Sequence, residues 1–197
     1  MYRKDNKTEH YTMKAQREGY PARSVYKLKD IDEKFRILKK GDKVLDMGAA
    51  PGSWMQYISI KVGERGLVQG VDIQDLEIEL KPNMRFLKKD MREMASTHWK
   101  RGEYDAVVSD AAPFTSGVPS LDAGRSFELA SKAFEIACSV LKRRGNFLTK
   151  IFDGEYTGDF YKDIQKSFSS VKRYRPSAVT KASRELYIIA RDFAPKA

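Results

Sequence analysis

The chain is poor in the residues that most often build metal and redox centres. Cys138 is the one cysteine in 197 residues, so no intrachain disulfide can form and no cysteine-based zinc site can be assembled. Only His10 and His98 represent histidine, which argues against a Cys/His metal site or a histidine-centred nucleophilic triad. Metal-free chemistry is the expectation. No apolar run approaches the roughly 20 residues needed to cross a bilayer, and the opening MYRKDNKTEH lacks the apolar core of a signal peptide. These absences predict a cytoplasmic protein, and the length suits one domain spanning residues 1–197.

Negative charge is also in deficit. Lys and Arg number 37 against 27 Asp and Glu, for a net charge of +10. Residues 1–43 hold thirteen of the basic residues and seven of the acidic ones, and so carry +6 of that excess. Tyr2, Tyr11, Tyr20 and Tyr26 interleave with them, a mixture suited to phosphate contact and stacking on bases or riboses. A solvated basic face is the plain alternative, and charge alone does not choose between the two. Something acidic is the expected partner, and the segment at about 1–40 is the candidate for contacting a nucleic acid.

Beyond residue 41, short apolar runs alternate with longer amphipathic stretches, the pattern of a mostly parallel sheet covered by helices on both faces. The runs that read as strands are Lys43–Asp46, Leu67–Asp72, Met84–Lys88, Ala106–Ser109, Asn146–Phe152, a weak Val171–Tyr174 and Glu185–Ala190. Phe127, Ala130, Phe134, Ala137, Cys138 and Leu141 recur at helical steps, with Gly145 as the expected stop and Cys138 in the core. Gly154 to Phe168 reads as a further helix. The link Arg175–Arg184 is too short for a helical crossover, so the last strand is expected to run antiparallel. Dinucleotide dehydrogenases usually place a parallel strand there, whereas Rossmann-like methyltransferases typically finish with an antiparallel one.

The segment Lys43 to Trp54, KVLDMGAAPGSW, is a strand running into a small-residue turn and a helix start, where an open α/β sheet binds its ligand. Gly48 is followed by Ala49, Ala50 and Pro51 before Gly52, so the cradle that holds a dinucleotide's pyrophosphate is missing. Asp46, Asp72, Asp90 and Asp110 each fall at a strand end on one edge of the sheet. Any one alone reads best as a helix cap or turn former. Four in phase with four strands suit a cationic nucleoside cofactor without pyrophosphate, and S-adenosylmethionine meets that description. Asp72 is placed to accept from its ribose hydroxyls, and Asp90 to hold the adenine amino group. Trp54 either packs over the cofactor or belongs to the core.

Lys150 stands in Phe147-Leu-Thr-Lys-Ile-Phe152, among large apolar residues at the end of a central strand. Burying an unpaired ammonium there is costly, which marks a functional lysine over one that snorkels to solvent. With Arg23-Ser-Val-Tyr-Lys-Leu-Lys-Asp-Ile31, Asp46-Met-Gly-Ala-Ala-Pro-Gly-Ser-Trp54, Ser109-Asp-Ala-Ala-Pro113, Lys150-Ile-Phe152 and Ser183-Arg-Glu-Leu-Tyr187, the chain resembles the FtsJ-like ribosomal RNA 2′-O-methyltransferases from about Lys14 to Ala190. The resemblance implies a Rossmann-like class I methyltransferase fold and a catalytic tetrad of Lys27, Asp110, Lys150 and Glu185. It also implies S-adenosylmethionine contacts at Gly52, Trp54, Asp72, Asp90 and Asp110, and no metal. Its substrate would be a uridine in the aminoacyl-tRNA-binding loop of large-subunit ribosomal RNA, methylated by a monomer. Ser53 replaces the second glycine of the family's loop, and Phe114 stands where an asparagine is frequent, which bears on how the target nucleoside is held.

In that chemistry a ribose hydroxyl displaces the sulfonium in line and must lose its proton near the transition state. A neutral Lys150 would act as base. An unperturbed lysine, with pKa about 10.4, is neutral only about one time in a thousand near pH 7.4, so that role needs a depressed pKa. A cationic Lys150 would orient the hydroxyl and offset its developing charge. Alternatives are the same chemistry on tRNA or an mRNA cap, a non-catalytic RNA-binding factor, which the intact tetrad argues against, and an NAD-dependent oxidoreductase, which the missing fingerprint argues against.

Overall fold

The computed structural model describes residues 6–94, 99–180 and 182–194, so Tyr2, Arg3, Lys4 and His98 lie outside the described residues. Each apolar run forms a strand: β1 (Lys43–Met47), β2 (Leu67–Asp72), β3 (Met84–Lys88), β4 (Tyr104–Ser109), β5 (Leu141–Phe152), β6 (Phe168–Tyr174) and β7 (Glu185–Phe193). Five helices accompany them: α1 (Asn6–Arg17), α2 (Val25–Phe35), α3 (Ser53–Val62), α4 (Pro119–Val140) and α5 (Thr157–Gln165).

The strands form one sheet in the order β3-β2-β1-β4-β5-β7-β6. Pairing is parallel from β3 to β5, while β7 runs antiparallel to both β5 and β6. The expected antiparallel last strand is therefore present, inserted between its two predecessors. This is the Rossmann-like class I methyltransferase sheet.

Period-two alternation divides the apolar side chains between two cores. Val44, Val108, Leu148 and Ile189 face one way, against Leu28 and Ile31 of α2 and Met55 and Ile58 of α3. Their neighbours Leu45, Val107, Phe147 and Ile188 face the other, against Ala133 and Ile136 of α4 and Ile164 of α5. Covered on both faces, the central strands read as continuous apolar runs.

Two helix boundaries differ from the sequence reading. Gly145 does not stop α4, which ends at Val140; Leu141 turns extended and opens β5 with no loop between them. Leu141 is buried and pairs with Tyr104, and the next register pair is Ala106 with Asn146, so Lys142–Gly145 form an irregularity inside the strand. Burial of Leu141 in the sheet outweighs the helical periodicity that it continues. Likewise Phe168 belongs to β6 and not to the preceding helix, which ends at Gln165. Cys138 is half-buried, packs against the second core, and has its thiol pushed up to about 11 by burial.

The basic N-terminal segment contains two helices that its sequence did not announce. Ala15 of α1 is buried and Tyr11 packs on Tyr26 of α2 at a ring separation of 5.2 Å. Asp32 ties α2 down from within the core: its carboxylate accepts from the Leu38 N–H at 3.0 Å and from the Tyr57 hydroxyl of α3 at 2.9 Å. These contacts fix the face of α2 that carries Lys27.

Candidate active site

The loops after β1, β2, β3 and β4 open at one edge of the sheet around a cavity of about 540 Å³, within the range of small-molecule sites. Gly48, Asp72, Asp90, Asp110 and Phe114 are among its walls. The loops after β1 and β4 meet at Gly48, where φ is +79° and a Cβ would lie 2.6 Å from the backbone of Ala111. Only glycine permits that approach.

Asp72 is held at both oxygens, accepting from the Ala50 N–H at 3.0 Å and the Gln74 N–H at 2.9 Å, and its remaining lone pairs can accept from ligand hydroxyls. Asp90 caps a short 3-10 turn, Met91–Glu93, by accepting from the Arg92 N–H. The Arg92 guanidinium also forks onto both Asp90 oxygens at 2.6–3.0 Å, and these bonds hold the carboxyl below its ordinary value. Asp46 is 0% exposed and neither carboxyl oxygen has a partner. Burial, then the neighbouring charges of Asp110 and Asp72, push its carboxyl well above the usual carboxylate range. A buried acid beside two carboxylates is held in its neutral form, and Asp46 is not itself a wall of the cavity.

Gly52 and Trp54 sit differently. Gly52 caps α3 with φ +114°, and a Cβ there would strike the Ile78 side chain at 2.6 Å. Trp54 is a core residue: it is 3% exposed and its indole N–H donates to the Ser24 carbonyl at 3.0 Å. Neither residue is a wall of the cavity.

Behind the cavity lie two ion pairs. Lys150, 5% exposed, places Nζ 3.1 Å from Asp110 Oδ1 and also donates to the Asp110 backbone carbonyl. Lys27 donates to Glu185 Oε2 at 2.7 Å. Strand pairing sets this geometry: Lys150 lies opposite Tyr187, and Phe152 opposite Glu185, so β7 carries Glu185 to the end of β5. Burial pushes the Asp110 carboxyl up, but the charges of Lys150 and Lys27 and hydrogen bonds from Tyr187 and Lys150 outweigh it, and the carboxyl lies below its ordinary value. Asp110 is thus a carboxylate at neutral pH.

Three contributors escaped the sequence reading. Tyr187 donates its buried hydroxyl to Asp110 Oδ1 at 2.7 Å, although it stands in the Ser183–Tyr187 motif. Arg92 occupies Asp90; its two-residue spacing was the available signal. Asp122, near the start of α4, accepts from the Ser116 N–H at 2.7 Å, the Ser116 hydroxyl at 2.8 Å and the Gly117 N–H at 3.3 Å, which fixes the loop after β4.

The profile of the FtsJ-like methyltransferase family matches residues 20–193. The chain belongs to that family. A protein of Desulforapulum autotrophicum named ribosomal RNA large subunit methyltransferase E is 42% identical over 189 residues, covering 95% of this chain and 93% of that protein. One of the same name from Methanothermobacter thermautotrophicus is 40% identical over 202 residues, covering 98% and 93%. A crystal structure from Plasmodium falciparum, named as a ribosomal RNA methyltransferase, superposes with a TM-score of 0.79 at 24% identity, over 90% of this chain and 100% of that one. This FtsJ-like methyltransferase uses S-adenosylmethionine. Its own residues fit that cofactor: the glycine approach at Gly48 leaves room, and the carboxylates of Asp72 and Asp110 on the cavity wall offer a cationic nucleoside acceptors.

Proposed function

We propose that this FtsJ-like enzyme methylates a ribose 2′-hydroxyl of large-subunit ribosomal RNA, with a uridine in the aminoacyl-tRNA-binding loop as the target. The observation that carries the reading is the Lys150–Asp110 pair, backed by Lys27–Glu185, behind a carboxylate-lined cavity that Asp110 helps to wall. The names of the relatives point to the same RNA.

S-adenosylmethionine supplies an electrophilic methyl group when bound. Asp72 would accept from its ribose hydroxyls and Asp90 from the adenine amino group, while Gly52 and Trp54 would act through the shape of the loop after β1. Lys150 Nζ faces two acceptors on Asp110, an arrangement suited to an ammonium that orients the ribose hydroxyl and offsets negative charge on its oxygen. With Lys150 kept as an ammonium, the hydroxyl proton would pass to the Asp110 carboxylate, the one member of the pair able to accept it. Lys27 and Glu185 position that pair, and holding oxygen, carbon and sulfur in line supplies much of the acceleration. The chain works as one domain and as a cytoplasmic monomer, with the basic segment at about 1–40 on the RNA.

Radiolabelled methyl transfer tests this directly. Label should enter large-subunit RNA at a 2′-oxygen and leave tRNA and capped mRNA unlabelled. Label on a base, or in tRNA alone, would refute the assignment.

A further inference from the structure

Phe114 is the most solvent-exposed large apolar side chain among the described residues, at 77%, and it lines the same cavity as Asp110. Exposing an aromatic ring to water forgoes its burial free energy, and a loop free to move would fold it inward. This loop is not free. Asp122 accepts three hydrogen bonds from Ser116 and Gly117, and the Ser116 hydroxyl accepts from the Val118 N–H at 3.2 Å. The turn that follows Phe114 is thus ordered, and the exposed ring and Arg125 both line the cavity.

Position within the sheet indicates what the ring meets. In the order β3-β2-β1-β4-β5, the loop carrying Phe114 follows β4, next to the β5 end that bears Lys150. β4 itself lies two strand spacings, roughly 10 Å, from β2 with Asp72 and three, roughly 14 Å, from β3, which precedes Asp90. The strands that bear the ribose and adenine acceptors thus lie further along the sheet, although their loops and that of Phe114 line one cavity. A 2′-hydroxyl presented to Lys150 belongs to C2′ of a ribose whose base hangs from the adjacent C1′, so that base arrives at the β4–β5 side of the mouth. Phenylalanine has no donor or acceptor, and it can grip a base only by its face.

We infer that Phe114 is a stacking platform for the target nucleotide's own unpaired base, holding it by shape and not by identity. This rests on the RNA reading given above. Base–aromatic stacking of this kind changes affinity by roughly five- to a hundredfold on removal of the ring.

The test uses single-turnover methylation of a ribosomal RNA fragment by Phe114→Ala, Phe114→Leu and Phe114→Tyr, with cofactor affinity measured by calorimetry. Ala and Leu should each lose about five- to a hundredfold in kcat/KM for RNA, Tyr should recover most of it, and cofactor affinity should stay put. The same RNA with the target base removed but its 2′-hydroxyl kept should react equally with the wild type and Phe114→Ala. If Leu performs like Phe, or the variants differ as much on the abasic RNA, the ring does not stack on that base. Parallel loss of cofactor affinity would place adenine on the ring and overturn the inference. Failure of the wild type to methylate any ribosomal RNA would instead sink the RNA assignment itself.

Discussion

At the scale of single residues, charge that has been taken out of water is what sets this edge of the sheet apart. Lys150 is buried, yet both oxygens that it meets belong to Asp110. Lys150→Ala should keep the fold and cofactor binding while cutting the single-turnover rate at least about a hundredfold. Lys150→Arg should not restore it, because a guanidinium differs in shape and fills the site. A rate that climbs with pH along a limb absent from the alanine variant would identify Lys150 as the base, and a flat profile supports the ammonium role. Asp46 makes a separate prediction. Its carboxyl is raised in the folded protein, so between the ordinary carboxylate range and that raised value the unfolded chain binds fewer protons than the folded one. Stability should therefore fall as pH rises through that window. Asp46→Asn should flatten the fall in urea denaturation measured across it; an unchanged slope would mean that Asp46 ionises in place. Asp110 has the opposite sign: its lowered carboxyl contributes stability above the ordinary carboxylate range that is lost on acidification.

At the scale of elements, the site depends on how closely loops approach and on which strands pair. Gly48→Ala would drive a methyl group into the Ala111 backbone, parting the loops after β1 and β4. A left-handed alanine costs on the order of 1–3 kcal/mol, so thermal or urea stability should drop by about that amount and S-adenosylmethionine affinity should fall with it. Retained affinity would show that the close approach of these loops is not needed for binding. The elements also mark how far the sequence could be read. Strands buried on both faces announce themselves as apolar runs, and β2 and β3 begin and end where those runs do. The switch from α4 into β5 at Leu141 left no turn residue to read, since Lys142–Gly145 stay within the strand. α1 and α2 were hidden under their charge. Asp110 and Lys150 stood out locally as polar residues at the ends of apolar strands, whereas the pairing of Lys27 with Glu185 joins positions 158 apart in sequence and was legible only through the family pattern.

At the scale of the whole molecule, a net charge of +10 should govern how the protein meets RNA. Neutralising Lys4, Lys7, Lys14 and Arg17 to glutamine should weaken RNA binding and make its salt dependence shallower, by about 0.7 in log–log slope for every single-strand phosphate that the protein ceases to neutralise. Cofactor affinity should not follow. Substitution is a cleaner experiment than deleting residues 1–20, because Ala15 and Tyr11 pack into the body of the protein. An unaltered salt slope would move the RNA path to another face. Finally, β7 threads between β5 and β6 and is made from residues 185–193. Until those residues have emerged during synthesis, β6 has no strand to pair with, and Phe147–Ile151 present an open, apolar sheet edge of the kind that templates aggregation. The same late segment delivers Glu185 to Lys27 and Tyr187 to Asp110. Closing the vulnerable edge and completing the proposed site are thus a single folding event, so a nascent or broken chain lacking this strand should be both inactive and exposed to quality control.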